Sequence, residues 1–297
     1  MLTLALGLSV IMGLTMGLLG GGGTILTVPI LLYVLGLPPK EAIATSLVVV
    51  IATGSMSLAL HARARNVQWA TGFMFGPLAM IGAFAGGYTA QYIPGNILLI
   101  IFTGLMITTA TAMLYRGRRR EKPRPPRSPL VRRGLIVIEG VSVGLATGLV
   151  GAGGGFLIVP VLTLLAGLSM RHAVGTALVV IVMQSSASLV GYVSHVPIDF
   201  SLAAMVAGMA ILGSLLGTNL ANRINQQTLR RIFAWFVLVM AVFILSRQLS
   251  PDVIHAVIDY PWRLALLAGV AVAIIIVTVT YAFASRRSEE PRVTPEP

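Results

Sequence analysis

Cysteine is absent from the 297 residues, acidic residues number only 9, and all charged residues together make up 10% of the chain. Without cysteine there is no disulfide, no thiolate metal site and no cysteine nucleophile, and the redox compartment is undetermined. An ordinary soluble domain carries roughly a quarter of its residues as charges. At 10% this sequence has too little polar composition to cover a water-facing surface. That excludes a soluble enzyme, a nucleic-acid binder and a disordered chain. The histidines, His61, His172, His195 and His255, fall at span ends or in loops without metal-ligand spacing, and each reads as an interfacial side chain. No G-x-x-x-x-G-K-[ST] sequence is present, so an ATPase is unsupported. Neither a metal nor a cofactor is expected.

What is abundant is apolar. Hydrophobic residues make up 56% of the chain, and the mean hydropathy is +0.91. A transmembrane helix needs about 20 mostly apolar residues. Such stretches run over 2–19, 41–60, 69–91, 95–115, 133–150, 171–192, 200–221, 228–247 and 262–284. Two further apolar pieces, 23–37 and 154–168, are short. At ~22 Å they do not cross a ~30 Å hydrocarbon core, and pieces of that length are often re-entrant. The first Lys or Arg is Lys40, so the first stretch lacks the basic flank of a cleavable signal and is expected to be retained. Residues 116–133 are rich in Pro and Arg and read as a solvated linker, and 285–297 as a polar tail.

Self-similarity at a fixed offset organises the chain. Gly17-Leu18-Leu19-Gly20-Gly21-Gly22-Gly23-Thr24-Ile25-Leu26-Thr27-Val28-Pro29 matches Gly148-Leu149-Val150-Gly151-Ala152-Gly153-Gly154-Gly155-Phe156-Leu157-Ile158-Val159-Pro160. Without a gap, Thr45 then falls on Thr176, Ser55 on Ser186, Gly82 and Gly86 on Gly213 and Gly217, and Ile101-Phe102 on Ile232-Phe233. Roughly 30% identity over ~85 positions exceeds what shared apolar composition produces. The chain reads as two repeats, 1–115 and 134–247, joined by the linker 116–133 and followed by one extra helix, 262–284.

Positive charge orients the repeats, because Lys and Arg in short loops mark the cytoplasmic face. With the linker inside, the loop carrying Arg63 and Arg65 is also inside, and the uncharged Gln91–Asn96 is outside. If 133–150 and 154–168 form a hairpin returning to the inner face, Arg223, Arg230, Arg231, Arg286 and Arg287 all fall inside, with Lys40, Arg247 and Arg263 as exceptions outside. A parallel arrangement puts those arginines outside. The expectation is an all-α polytopic membrane protein of two inverted-topology repeats, each a Gly-broken re-entrant hairpin plus three transmembrane helices. Inverted repeats are frequent in secondary transporters, with the site at the midplane.

The duplicated G-L-x-G-x-G-G-x-x-L-x-V-P, with its downstream Pro and Thr-bearing helix, resembles the TauE/SafE family of sulfite exporters. The resemblance covers about residues 3 to 284. It implies a bacterial inner-membrane transporter for sulfite, sulfonates or other small sulfur-containing or organic anions. The linker and C-terminus are expected to be cytoplasmic.

Candidate ligand groups follow from residue chemistry. Gly20, Gly21, Gly22 and Gly23, with Thr24, and Gly151, Gly153, Gly154 and Gly155 allow a chain break and close backbone approach. Each run precedes a short segment whose helix N-terminus offers unpaired N–H groups and partial positive charge to an anion. The bland alternative is that these glycines only permit tight helix crossing. Pro29 and Pro160 either kink the short segments or are simply tolerated there. Thr45, Thr176, Gln184 and Ser186 supply neutral donors on the following helices. Interhelical hydrogen bonding is the competing role for each. Glu139, an acid within an apolar span, is the candidate proton carrier, although Arg132 and Arg133 lie close enough in sequence to pair with it. Gly82-x-x-x-Gly86 and Gly213-x-x-x-Gly217 are expected to pack helices within the chain, with a homodimer as the lesser alternative.

The expected function is export of a small anion by alternating access, with a passive anion channel on the same frame as the alternative. The expected partners are that anion and the lipid bilayer. An intramembrane serine enzyme would have only Ser55 with His61 to draw on, and His61 is expected in a cytoplasmic loop beside Arg63. No catalytic residue is assigned.

Overall fold

The structure is a computed structural model that describes residues 2–248 except Gly22, residues 117–128, Ala152, residues 165–166 and Asn222. The expected helix 262–284, the tail 285–297 and most of the linker lie outside the described residues.

Backbone N–H and C=O groups in a bilayer have no water to bond, so apolar runs must satisfy them internally. The described residues do this with helices and carry no strand. The helices are α1 (Leu2–Leu19), α2 (Thr24–Pro29), α3 (Pro39–Arg63), α4 (Trp69–Thr89), α5 (Gly95–Arg116), α6 (Pro129–Val150), α7 (Gly155–Leu164), α8 (Met170–Val193), α9 (Phe200–Ala221) and α10 (Gln226–Gln248). A π-helical turn, Ile30–Val34, continues α2, and a 3₁₀ turn, Ala90–Tyr92, closes α4. Among the described residues five helical stretches are long and apolar enough to cross a membrane: Pro39–Arg63, Trp69–Tyr92, Met170–Val193, Phe200–Ala221 and Gln227–Arg247. The protein is a polytopic all-α membrane protein.

Two boundaries differ from expectation. The linker is shorter than 116–133, because α5 includes Arg116 and α6 begins at Pro129. Proline suits the first turn of a helix, where its missing N–H has no partner to lose. The helix α3 runs on to Arg63, which draws His61 out of the expected loop.

The two short segments are helices, α2 with its π turn and α7. Pro29 ends α2, and beyond it Leu35 N–H bonds Ile30 O at 3.2 Å, the wider spacing of a π turn. A proline cannot donate to the α ladder, which favours such a change of register. Positive φ recurs at matched positions of the two halves: Gly20 at 68° with Gly151 at 65°, and Gly36 at 72° with Gly167 at 70°. Each ends a helical segment in the left-handed conformation that glycine adopts without a Cβ penalty.

The halves interlock. The first helix of each half packs on the other half's Gly-x-x-x-Gly helix, α1 on α9 and α6 on α4. Backbones touch there: a Cβ on Gly213 or Gly217 would strike the carbonyls of Val10 or Leu14, and one on Gly82 or Gly86 those of Val141 or Leu145. The four partners are themselves repeat-equivalent, so the Gly-x-x-x-Gly pairs do pack helices within the chain. Gly213→Ala is expected to destabilise by about 3 kcal/mol, since backbone cannot yield as a side chain does. Gly208→Ala on the same helix, with nothing within 4 Å of its added Cβ, is expected to be neutral. Thermal unfolding of the two variants in detergent checks the contrast.

The most buried long helices, α3 and α8, cross each other at the centre. Helix ends meet in a defined way. The N-terminus of α8 lies against the α3–α4 loop, where Gln68 N–H donates to Thr176 Oγ1 at 2.9 Å and Gly175 abuts Asn66. Arg171 donates to Ile224 O at 3.1 Å, just after α9. At the other end of α3, Lys40 Nζ donates to Gln91 O at 2.8 Å.

Candidate functional site

The two glycine runs meet back to back. A Cβ on Gly21 would land on the backbone of Gly155, and one on Gly155 on Gly21, so only paired glycines allow the approach. The second run is clamped by α3 and α8, and the first is held by α8. On α3, Ile43 packs on Gly151, Ser46 Oγ donates to Gly151 O at 2.9 Å, and Val50 packs on Gly153. On α8, Val174 packs on Gly20 and Ile181 on Gly155.

Helix ends buried here leave carbonyls without intrahelical donors. Side chains reach them. His61 Nε2 lies 3.0 Å from Gly17 O at the end of α1. At the end of α6, Ser188 Oγ donates to Gly148 O at 3.2 Å and Tyr192 Oη to Leu149 O at 2.6 Å. His61 and Tyr192 occupy equivalent places in the repeat. With the negative ends of α1 and α6 covered, the N-terminus of α7 faces the junction as a source of positive potential.

Gln184, 1% exposed, latches the second run: its Nε2 donates to Gly153 O at 2.7 Å, and its Oε1 lies 3.3 Å from Thr147 Oγ1. The equivalent residue of the first half is Thr53, which is too short to repeat the latch. Thr53 Oγ1, Ser57 Oγ and Ser185 Oγ are buried and have no hydrogen-bond partner. Ser185 Oγ stands 3.3 Å from where a Cβ of Gly153 would be, beside Thr24 Cγ2. A hydroxyl left unpaired in a dry interior costs about 1–3 kcal/mol. Thr53 and Ser57, four residues apart, share a face of α3, and Ser185 stands on α8.

The expected site residues divide accordingly. Gly20, Gly21, Thr24, Gly151, Gly153, Gly154, Gly155 and Gln184 come together at the junction, whereas Gly23 packs on Met12 and Met16 of α1. Gly22 lies outside the described residues. Thr176 serves the α3–α4 loop instead, and Thr45 is buried on α3 near its start. Ser186 is half-buried and bonds Val182 O of its own helix at 2.8 Å. Glu139 lies on α6, and its side chain is outside the described residues. Four contributors were not singled out for the junction: Ser185, Ser57, Thr147 and His61. Helical phase carries the signal for the first: two residues past Gln184 is roughly 200° around the helix, whereas Ser185 shares a face with Ile181, Ser188 and Tyr192. His61 is 1% exposed, not interfacial, because α3 continues past it and buries it against α1.

Residues 5–244 match the family described as Sulfite exporter TauE/SafE. The chain belongs to the TauE/SafE sulfite exporter family. Among its relatives is a probable membrane transporter protein of Xylella fastidiosa strain 9a5c, 34% identical over 252 residues, covering 83% of this chain and 96% of the relative. The probable membrane transporter protein YdhB of Bacillus subtilis is 27% identical over 221 residues, covering 74% and 90%. MJ0441 of Methanocaldococcus jannaschii, described in the same words, is 28% identical over 267 residues, covering 82% and 96%. No solved structure matches the chain. The family match begins in α1 and ends in α10, so it takes in both glycine runs and all the helices that clamp them. By family and relatives this TauE/SafE chain is a multi-pass membrane transporter.

Proposed function

We propose that the protein is a secondary transporter exporting a small sulfur-containing or organic anion, sulfite or a sulfonate, by alternating access. The anion is held at mid-membrane where the two glycine runs meet, by the N-terminal N–H groups of α7 and α2 and by hydroxyls on α3 and α8. The observation that carries this is that three hydroxyls of the central helices, Thr53 and Ser57 on α3 and Ser185 on α8, are buried and unpartnered. Neutral donors hold an anion without the expense of a buried, unpaired cation.

The halves 1–115 and 134–247 act as inverted repeats in this reading. The meeting of helix ends supports it: α8 starts at the end of the molecule where α3 finishes, so equivalent helices run in opposite directions. The location is the cytoplasmic membrane, with the linker and C-terminus inside, supported by the arginines gathered at that end, Arg63, Arg65, Arg171 and Arg223. Inside-negative potential already drives an anion outward, by ~2.3 kcal/mol per charge per 100 mV.

Efflux from proteoliposomes, screening sulfite, sulfate, thiosulfate and methanesulfonate, tests the reading. Saturable flux of sulfite or sulfonate is expected. Ser185→Ala should slow it about tenfold, the worth of one hydrogen bond to a charged group. Ohmic, unsaturable current would mean a channel, and no flux of any of these anions from folded protein would contradict the sulfur-anion assignment.

A further inference from the structure

His61 has no role in holding the anion, yet it is buried against the end of α1, on the helix that carries Thr53 and Ser57. Its Nε2 faces Gly17 O at 3.0 Å, and its Nδ1 faces the Asn66 side-chain amide at 3.5 Å. A backbone carbonyl only accepts, so Nε2 carries the proton when the ring is neutral. An amide offers a donor or an acceptor on rotation, so Asn66 suits a ring with Nδ1 either bare or protonated. The unpartnered Ser57 Oγ lies one turn back along α3, and the unpartnered Thr218 Oγ1 sits against Gly17. Thr53 is about 12 Å away along the same helix.

The repeat gives an internal comparison. Tyr192, in the equivalent place, bonds the end of α6 through a hydroxyl that stays neutral across physiological pH. Capping a broken helix therefore does not require imidazole, and only the imidazole titrates near neutrality.

The ionisable residues around α3 are mostly cationic at this end. On α3 itself stand Arg63 near His61, and Lys40 and Glu41 at the far end. The loop adds Arg65. From α8 come Arg171 and His172 at its start and Tyr192 near its end. The π turn carries Tyr33, and α5 has Tyr115 and Arg116 in its last turn. The remaining helices packed on α3, namely α1, α2 and α9, carry no ionisable side chain. Arg223 follows α9.

We propose that His61 is a proton-binding site linked to occupancy of the anion site, so that proton and anion each strengthen binding of the other. The proposal rests on the transporter reading above. Linkage of this kind is reciprocal. A bound anion supplies a counter-charge that the uncharged Gly17 carbonyl and Asn66 amide do not, and a protonated His61 adds a positive charge that neutral hydroxyls do not.

Two experiments on the full chain test it. In wild-type protein, the imidazole ¹⁵N signal of His61, assigned by its loss in His61→Gln, is titrated with and without saturating sulfite. Sulfite is expected to raise the midpoint by about one pH unit, a tenfold gain in proton affinity; an unmoved midpoint overturns the proposal. In proteoliposomes loaded with sulfite at fixed internal pH, only the external pH is lowered, so the cargo's ionic form inside is constant. Wild-type efflux is expected to change by about fivefold or more, in the usual range of coupling. His61→Gln and His61→Tyr, which keep a donor for Gly17 O, should lose that response. A response of wild-type size in a folded variant, or none in the wild type, overturns the proposal, and the titration decides if neither variant folds. No protein-dependent sulfite efflux at any pH is a separate outcome, which removes the transporter reading and this proposal with it.

Discussion

Gly153→Val is expected to abolish anion flux, leaving less than about a hundredth of the wild-type rate, while the protein still inserts and purifies folded. Two effects combine. Gly153 has φ 63°, a region that a β-branched residue almost never occupies. Its new side chain would also start 2.6 Å from Val50 Cγ1 and 3.3 Å from Ser185 Oγ, filling the space beside that hydroxyl. Gly36→Val separates the two. Gly36 has φ 72° but nothing within 4 Å of an added Cβ, so it carries the backbone strain without the obstruction. Flux should survive in Gly36→Val. Equal loss in both variants would mean that strain, not occlusion, stops transport.

Gln184→Glu is the second large effect. The wild-type amide donates to Gly153 O and anchors the second glycine run. A carboxylate of the same shape cannot donate to that carbonyl, and it brings negative charge to a buried position where an anion must bind. Like charges about 5 Å apart repel by roughly 3 kcal/mol even at an effective dielectric of 20, so flux should fall about a hundredfold near neutral pH. Acidification should restore part of it, because a protonated carboxyl is neutral and donates again. Gln184→Leu separates charge from anchoring: it loses the same hydrogen bond without adding charge, and its smaller loss should not depend on pH. Equal, pH-independent losses in both variants would remove the electrostatic argument and leave Gln184 a purely structural latch.

The glycine junction was legible in the sequence because it is written twice. One Gly-rich run has several meanings, but Gly20 and Gly151 at a constant offset, each before a short apolar segment, point to breaks, and both have positive φ. The Gly-x-x-x-Gly pairs were legible for the same reason. What the sequence did not reveal is which partner each half chooses. Nothing in α1 alone indicates that it packs on α9 of the other half, since apolar helices attract without direction in lipid. The choice between Ser185 and Ser186 needed helical phase measured against a neighbour. His61 escaped because the apolar run ends at Leu60 while the helix runs on to Arg63. Hydropathy marks where lipid ends, and helix termini are set by hydrogen bonding further along. Thr53 and Gln184 were aligned by the repeat, but that one latches its glycine run and the other leaves a free hydroxyl depends on a difference in side-chain length that only the fold makes meaningful.

A small oxyanion held where the glycine runs meet can be located directly. Selenite, the selenium counterpart of sulfite, makes it directly visible through anomalous scattering from crystals of the full chain. A selenium peak is expected within hydrogen-bonding distance of Ser185 Oγ and the first N–H groups of α7, lost in Gly153→Val. A peak elsewhere in the molecule, with the junction empty at saturating selenite, would contradict it.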